Sequence, residues 1–414
     1  MTAHIEPAPL DAADAPIIER TWVFLPLFAP FGLSSGYLSV TLGFQLGHAG
    51  LGAIAVTTII AASLWTQSVK MVWAPIVDAV GKPRLWYILG ALLTGLSILV
   101  MSLFPPTAKV VPFFTVMAVV GSASSTLVSM SSEILLTHGV RPSARGKASG
   151  WAQAGNMGGG GIGGGLGLAL AQNMSVPWIS GLVLALICVG CAAFLFVIPS
   201  VEPAHDGTGY VARIRQVVID VWSVARSRIG YLALIIMILP IASGSAPFSV
   251  IAGDWKADAA LVAVVTGVLG GVASAFGALI GGYLCDRLDP KSAYSLFGIL
   301  VGLAAVLMAW APHTPTAFAI GTLAYQLFVG CGYAGYSSII LEAIGRKSAA
   351  TNFNLMAAIS NMPLAFMTSF DGWMHDRHGV TAMLYGELLL PAATILVFAL
   401  FVAVTRPRRA AATA

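Results

Sequence analysis

Apolar residues in this chain neither alternate nor mark a single helical stripe; they fill runs of about twenty positions, separated by short intervals of charge, Pro and Gly. At about 1.5 Å per residue, a run of this length crosses a hydrocarbon core of about 30 Å. The pattern predicts an all-α membrane protein of twelve transmembrane helices, near 23–45, 51–72, 85–104, 111–137, 147–171, 176–198, 229–252, 260–284, 292–311, 316–344, 350–370 and 380–404. The interval 68–84, with Lys70, Pro75, Asp78, Lys82 and Arg84, is expected to be a loop at a membrane face. A cousin of it, 281–291 with Asp286, Arg287, Pro290 and Lys291, closes a later run, and the two Asp are 208 positions apart.

Charge orients the helices. With the N-terminus placed in the cytoplasm, eighteen of the twenty-one Lys and Arg fall on the inner face, and only Lys109, Lys256 and Arg377 fall outside. That bias predicts an even number of spans and two cytoplasmic termini in a bacterial inner membrane. It also accounts for the formal charge of +4 without a nucleic-acid partner. The first twenty residues carry Glu6, Asp11, Asp14 and Glu19 and lack a basic segment followed by an apolar one, so no cleavable leader is expected.

Composition agrees, with 57% hydrophobic and 9% charged residues, against roughly 25% charged in an average soluble domain. Cys188, Cys191, Cys285 and Cys331 lie in or beside apolar runs and read as small buried hydrophobes, giving neither a disulfide nor a metal site. The glycines from Gly158 to Gly165 lie within a span and lack the Lys-Ser/Thr of a nucleotide cradle. Nothing in the chain suggests an enzyme or a cofactor, and the partner that composition itself implies is the bilayer, with the chain expected to act as a monomer.

The longest polar interval, 199–228, reads as a cytoplasmic linker between a six-helix bundle at 1–198 and another at 229–414. Val211 to Val224 either forms an amphipathic helix on the inner leaflet or is a solvated linker. The repeat extends into detail. The segment 141–148 after helix 4 has a counterpart at 346–352 after helix 10, and Asn156-Met157 in helix 5 is matched by Asn361-Met362 in helix 11, both offset by 205 positions.

Two parallel six-helix repeats joined by such a linker resemble the major facilitator architecture. That resemblance implies a cavity lined by helices 1, 4, 7 and 10, with helix 5 facing helix 8 and helix 2 facing helix 11. The cavity candidates are then Ser34, Ser35 and Tyr37, with Ser125, Ser129 and Ser132 on helix 4, Ser245 on helix 7, and Tyr325, Gln326, Tyr333 and Tyr336 on helix 10. Any single Ser can instead bond its own helix backbone. Gly155, Gly159, Gly163 and Gly167 at four-residue spacing, answered by Gly267 and Gly271, suit close packing at the rocking interface between helices 5 and 8, or a static seam.

Ionisable groups inside a span are functional candidates. Glu133, near the cytoplasmic end of helix 4, is the expected proton site, or else a structural partner of Arg141 or Arg145. Glu387 lies in helix 12, expected to be peripheral, and Asp254, Asp258, Asp371 and Asp376 are expected to be solvated at the outer rim. Asp78, Arg84 and Arg145, with Asp286, Arg287 and Arg346 in the second half, are expected to latch the inner gate.

The segment 64–78, with Lys70 and Trp73-Ala74-Pro75-Ile76-Val77-Asp78, is similar to the second helix of AmpG-type muropeptide permeases and the related acetyl-CoA and siderophore transporters. Lys347 to Leu355, then Ser360-Asn361 and Gly372, Asp376 and Gly379, resemble the helix 11 region of the same group. In helix 4 this chain reads Thr126 to Glu133 where many of that group carry an acidic stretch. The resemblance implies proton-driven uptake of a polar cargo, muropeptide-like or siderophore-like. The alternative is an exporter of a drug or metabolite with the same fold.

Overall fold

The computed structural model describes residues 18–74, 76–77, 82–141, 144–176, 178–200, 210–344 and 356–405. Asp78 and Arg346 lie outside them. Among the described residues there is no strand. The helices are α1 (Thr21–His48), α2 (Ala53–Ser68), α3 (Pro83–Ser102), α4 (Val111–Gly139), α5 (145–173) and α6 (Trp178–Cys191). After a linker helix, Tyr210–Ala225, come α7 (Arg228–Ile238), α8 (Ala259–Cys285), α9 (Pro290–Trp310), α10 (Pro315–Ile344), α11 (361–378) and α12 (380–404).

Among the described residues, eight helical stretches are long and apolar enough to cross a membrane, counting α11 and α12 as one stretch, Met356–Val404. That stretch is not straight, because Gly379 stands at φ 86° and ψ 171° between its two arms. A positive φ is strained for any residue with a Cβ, so glycine is the residue that makes this corner. α2 and α7 are shorter, at 16 and 11 residues, and the glycine-rich α5 is long enough but less apolar.

Packing sorts the helices into two groups. α1 lies on α4 and α5, α3 on α4 and α6, and α2 on α4. In the second group α8 and α9 lie on α10, and α9 also packs on the α11–α12 stretch. The groups meet where α2 lies against α11 and where α5 lies against α8. The end holding Ile18, the linker helix and Thr405 is called proximal here, and the end holding residues 49–52, Lys256 and Gly379 is called distal.

Helix 7 departs from the expected 229–252. α7 stops at Ile238, residues 239–247 leave the helix, and only the short turn Phe248–Ile251 returns to it. Pro240 and Pro247 each lack an amide donor and clash with the preceding turn, which breaks the helix on both sides of Ser243-Gly244-Ser245. Helix 11 departs the other way and runs on to His378, through charged residues that hydropathy assigns to a loop.

Glycine sets the closest contacts. A methyl group at Gly155, Gly159 or Gly163 would collide with the carbonyl of Leu25, Ala29 or Leu33 respectively, all on α1. α1 reciprocates, since a methyl at Gly32 or Gly36 would strike the carbonyl of Asn156 or Gly160. The two backbones therefore interlock at four-residue spacing within one group. Three widened π turns, Tyr37–Leu42, Ile162–Leu166 and Ala263–Leu269, contact one another. Thr41 Oγ1 is within hydrogen-bonding distance of the Gly163 and Gly164 carbonyls, at 2.8 and 3.0 Å, meeting acceptors that a widened turn leaves over.

Because the neighbour at Gly159 is a backbone carbonyl and cannot swing aside, Gly159→Val is expected to cost at least the roughly 1–3 kcal/mol typical of overpacking. Gly158, with nothing within 4 Å of a built Cβ, is the control. Gly158→Ala is expected to leave the melting temperature unchanged or raise it. Thermal melts of the two purified variants check both.

Candidate functional site

The break in α7 frees backbone amides inside the apolar span; two side chains from other helices meet them, and a third meets the Ser245 hydroxyl. Ser245 N donates to Glu387 Oε1 of α12 at 3.1 Å, and Ala246 N donates to the Tyr325 hydroxyl of α10 at 3.1 Å. Ser245 Oγ donates to Asp371 Oδ2 of α11 at 2.7 Å. Asp371 and Glu387 are both 0% exposed, and their carboxyls meet at the same residue, Ser245. The second oxygens, Asp371 Oδ1 and Glu387 Oε2, are buried without a donor. Val301, Ala305, Phe248, Met383 and Leu384 belong to the apolar cluster around Tyr325.

This corrects two expectations. Asp371 is not solvated at a rim, because α11 continues past it and turns it inward, and Glu387 is not peripheral, because α12 packs on α9 with Gly302 against the Glu387 backbone. Hydropathy alone could not pair them. The available signal was two acids sixteen positions apart, flanking a Gly that turns the chain.

Just proximal to the cluster lies a cavity of ≈ 40 Å³ between α7, α9, α10 and α11, with Ser243, Tyr294, Tyr333, Tyr336, Ser360 and Asn361 among its lining residues. Tyr294 reaches Ser243 and the Ala242 backbone, and Tyr336 donates to the Met356 carbonyl at 2.9 Å. The space suits ordered water, not a cargo molecule.

The distal end carries a seal between the groups. Asp376 of α11 accepts from the first amides of α2, Ala53 N at 2.8 Å and Ile54 N at 3.0 Å, and also contacts His375 Nδ1 at 2.9 Å. An acid on a helix N-terminus satisfies orphan amides and opposes the helix dipole. One turn away, Gly372 lies so close to Thr57 that a methyl would overlap its hydroxyl. Ser249 Oγ donates to the Ser39 carbonyl at 2.6 Å, and a methyl at Gly267 would lie 2.7 Å from the Gly165 amide nitrogen.

The remaining expected residues fall in several places. Ser34, Tyr37, Ser125, Ser129 and Ser132 are buried in the first group, whereas Ser35 is exposed and Gln326 half-buried. Ser125 donates to the Ser122 carbonyl, Ser129 to Glu133 Oε1 at 3.2 Å, and Ser132 to the Leu27 carbonyl, so in this conformation those hydroxyls serve the bundle itself. Glu133 is half-buried. Arg145 donates to the Thr137 and Val140 carbonyls at the end of α4, and Arg84 to the Ile198 carbonyl. Asp286 is exposed, and Arg287 stacks over the Tyr283 ring at 4.0 Å.

The glycine row expected across helices 5 and 8 is corrected in part. Gly155, Gly159 and Gly163 face α1, and Gly167 faces Thr41 and Leu184. The α5 positions that meet α8 are Gly161 and Gly165, two residues on from that row, hence about 200° around a helix of 3.6 residues per turn. Gly267 does face α5, and a methyl at Gly271 would lie 3.7 Å from the Met157 carbonyl oxygen.

The Major Facilitator Superfamily model matches residues 22–251 and again 231–414, one match for each group of helices. The chain belongs to that superfamily. It is a multi-pass membrane transporter and not an enzyme. It is 23% identical over 381 residues to "Putative transporter AmpG 4" of Rickettsia conorii (strain ATCC VR-613 / Malish 7), covering 86% of this chain and 91% of that protein. It is 30% identical over 128 residues to "Anhydromuropeptide permease" of Escherichia coli (strain K12), covering 30% of this chain and only 26% of that one. Among solved structures it shares the fold of a D-xylose-proton symporter, with TM-score 0.68, 13% identity and coverage of 90% and 96%. A bacterial homolog of the human lysosomal transporter Spinster, solved inward-facing and unoccupied, gives 0.67 at 12% identity, covering 93% and 96%.

Asp376→Ala removes the acceptor for both α2 amides and is expected to weaken the distal seal of this transporter by about 1 kcal/mol, the usual worth of such a cap. In a Ser39→Cys background, alkylation of the new thiol is expected to rise about fivefold, the population change that energy allows. Unchanged labelling would show that Asp376 does not hold the seal.

Proposed function

We propose that this superfamily member is a secondary active importer that takes up a polar small molecule across the bacterial inner membrane by alternating access, driven by protons. The cargo is muropeptide-like or siderophore-like, and the name of the Escherichia coli relative, an anhydromuropeptide permease, favours the first. The proposal includes twelve spans, in bundles at 1–198 and 229–414 joined by a cytoplasmic linker at 199–228, both termini in the cytoplasm and a monomeric chain. The single observation that carries it is the seal described above. Polar and glycine-tight contacts close one end of the interface between the groups, as expected of a carrier captured with one gate shut.

With the distal end outside, the conformation is closed to the periplasm. Lys109 and Arg377 sit at that end, and Lys256 occupies its left-handed turn at φ 55°, in keeping with the charge bias of the sequence. The linker helix exposes Val211, Val218 and Trp222 beside Arg215, with Arg226 over the Trp222 ring at 5.6 Å. Those apolar and basic positions support a helix lying on the inner leaflet.

Labelled anhydromuropeptides and ferric chelates, supplied to a host without its own importers, test the reading. Expression of the chain is expected to give accumulation of one class that a proton ionophore abolishes. Efflux from loaded right-side-out vesicles, with no uptake of either class, would establish an exporter instead. A cysteine replacing Lys256 is expected to react with an impermeant maleimide in intact spheroplasts, and protection there would reverse the orientation.

A further inference from the structure

Proton-driven transport requires a group that binds the proton, and the inference here rests on that transport reading. We propose that the proton is shared between Asp371 of α11 and Glu387 of α12, and that the cavity beside Ser243 connects this pair to the proximal side.

The hydrogen bonding leaves two carboxyl oxygens for it. Asp371 Oδ2 takes the Ser245 hydroxyl and Glu387 Oε1 takes the Ser245 amide, so each carboxyl has one oxygen supplied with a donor. Oδ1 and Oε2 have none, and both are fully buried. One proton carried by the pair supplies a donor among these oxygens and removes the repulsion of two like charges in a dry site. It comes from the medium and returns to it, with no other bond made or broken.

The described surroundings offer the pair hydroxyls and amides but no neutralising cation. α7 contributes Ser245, α10 contributes Tyr325, and α9 contributes Val301 and Gly302. Among the described residues no Lys, Arg or His acts on either carboxyl. His375, Arg377 and His378 lie further along α11 towards its exposed distal end, and Lys256 is exposed. Amide and hydroxyl donors aimed at two carboxyls suit a proton; a metal cation would need acceptors around it. Glu133, the acid the sequence favours, is half-buried and already accepts from Ser129.

Two further features give the pair a path and a consequence. The ≈ 40 Å³ cavity is lined by Ser243 and Gly244, adjacent to Ser245, and by Tyr294, Tyr333, Ser360 and Asn361, the last two at the proximal start of α11. On the other side, Asp371 precedes Gly372, which packs on Thr57 of α2, and Asp376 binds the α2 amides about one turn later. Proton occupancy and the distal seal therefore act on the same helix.

The test uses the full chain in liposomes, with no cargo and no gradient, and reads the carbonyl-stretch infrared band of an un-ionised carboxylic acid. The wild type is expected to show the band at neutral pH and lose it on alkaline titration. In Asp371→Asn and in Glu387→Gln the new amide donates to the remaining carboxylate, so the band is expected to disappear, while Glu133→Gln keeps it. Should either amide variant fail to fold, the wild type alone decides, since absence of the band at neutral pH overturns the proposal. Loss of the band in Glu133→Gln with retention in both pair variants would overturn it too, as would displacement by sodium but not by choline chloride. A failed cargo assay with the band intact would strike the transport reading and leave the proton site standing.

Discussion

A backbone that leaves its helix inside an apolar layer must find partners for its amides, because no water is there to take them. In this transporter the demand falls on residues 239–247, which two prolines exclude from helical geometry. Glu387 and Tyr325 answer it from two other helices, while Asp371 takes the Ser245 hydroxyl from a third. The same contacts that satisfy the broken strand of α7 bring two acids together. A structural requirement of the fold thus assembles the most concentrated chemistry among the described residues.

Small residues do the complementary work. In the first group, glycines on α1 and α5 let two backbones touch along several turns, which holds that pair as one rigid piece. At the interface between the groups the contacts are fewer and differ in kind. They comprise a carboxylate on a helix start, a hydroxyl on a carbonyl, and glycines set against glycines. Dispersion between such small surfaces is limited, so the contacts can be exchanged without dismantling either group, as a carrier that opens first one way and then the other requires.

α11 joins these themes. Its distal half carries Asp371 towards α7 and α12, and Gly372 and Asp376 towards α2. Moving one set of contacts moves the other, since a helix transmits displacement along its axis with little loss. Thr57, whose hydroxyl bonds back to the Ala53 carbonyl at 2.9 Å, presents a smooth surface to Gly372 at the point where that motion crosses between groups.

Read alone, the sequence determined the all-helical membrane character, the positions of most helices, the half-chain repeat and the superfamily, because each is written in local hydropathy, charge and motif spacing. It also pointed to Ser245 and Tyr325 as polar residues of interest. It did not reveal that Asp371 and Glu387 are partners. Partnership across two helices is a distance, and hydropathy counts an acid near the end of a run as solvated whether or not another helix covers it. For the same reason the glycine spacing announced a close contact without naming the neighbour. Which face of α5 meets α1 and which meets α8 depends on helix rotation about its axis, and that angle is set by the packing of all the helices together.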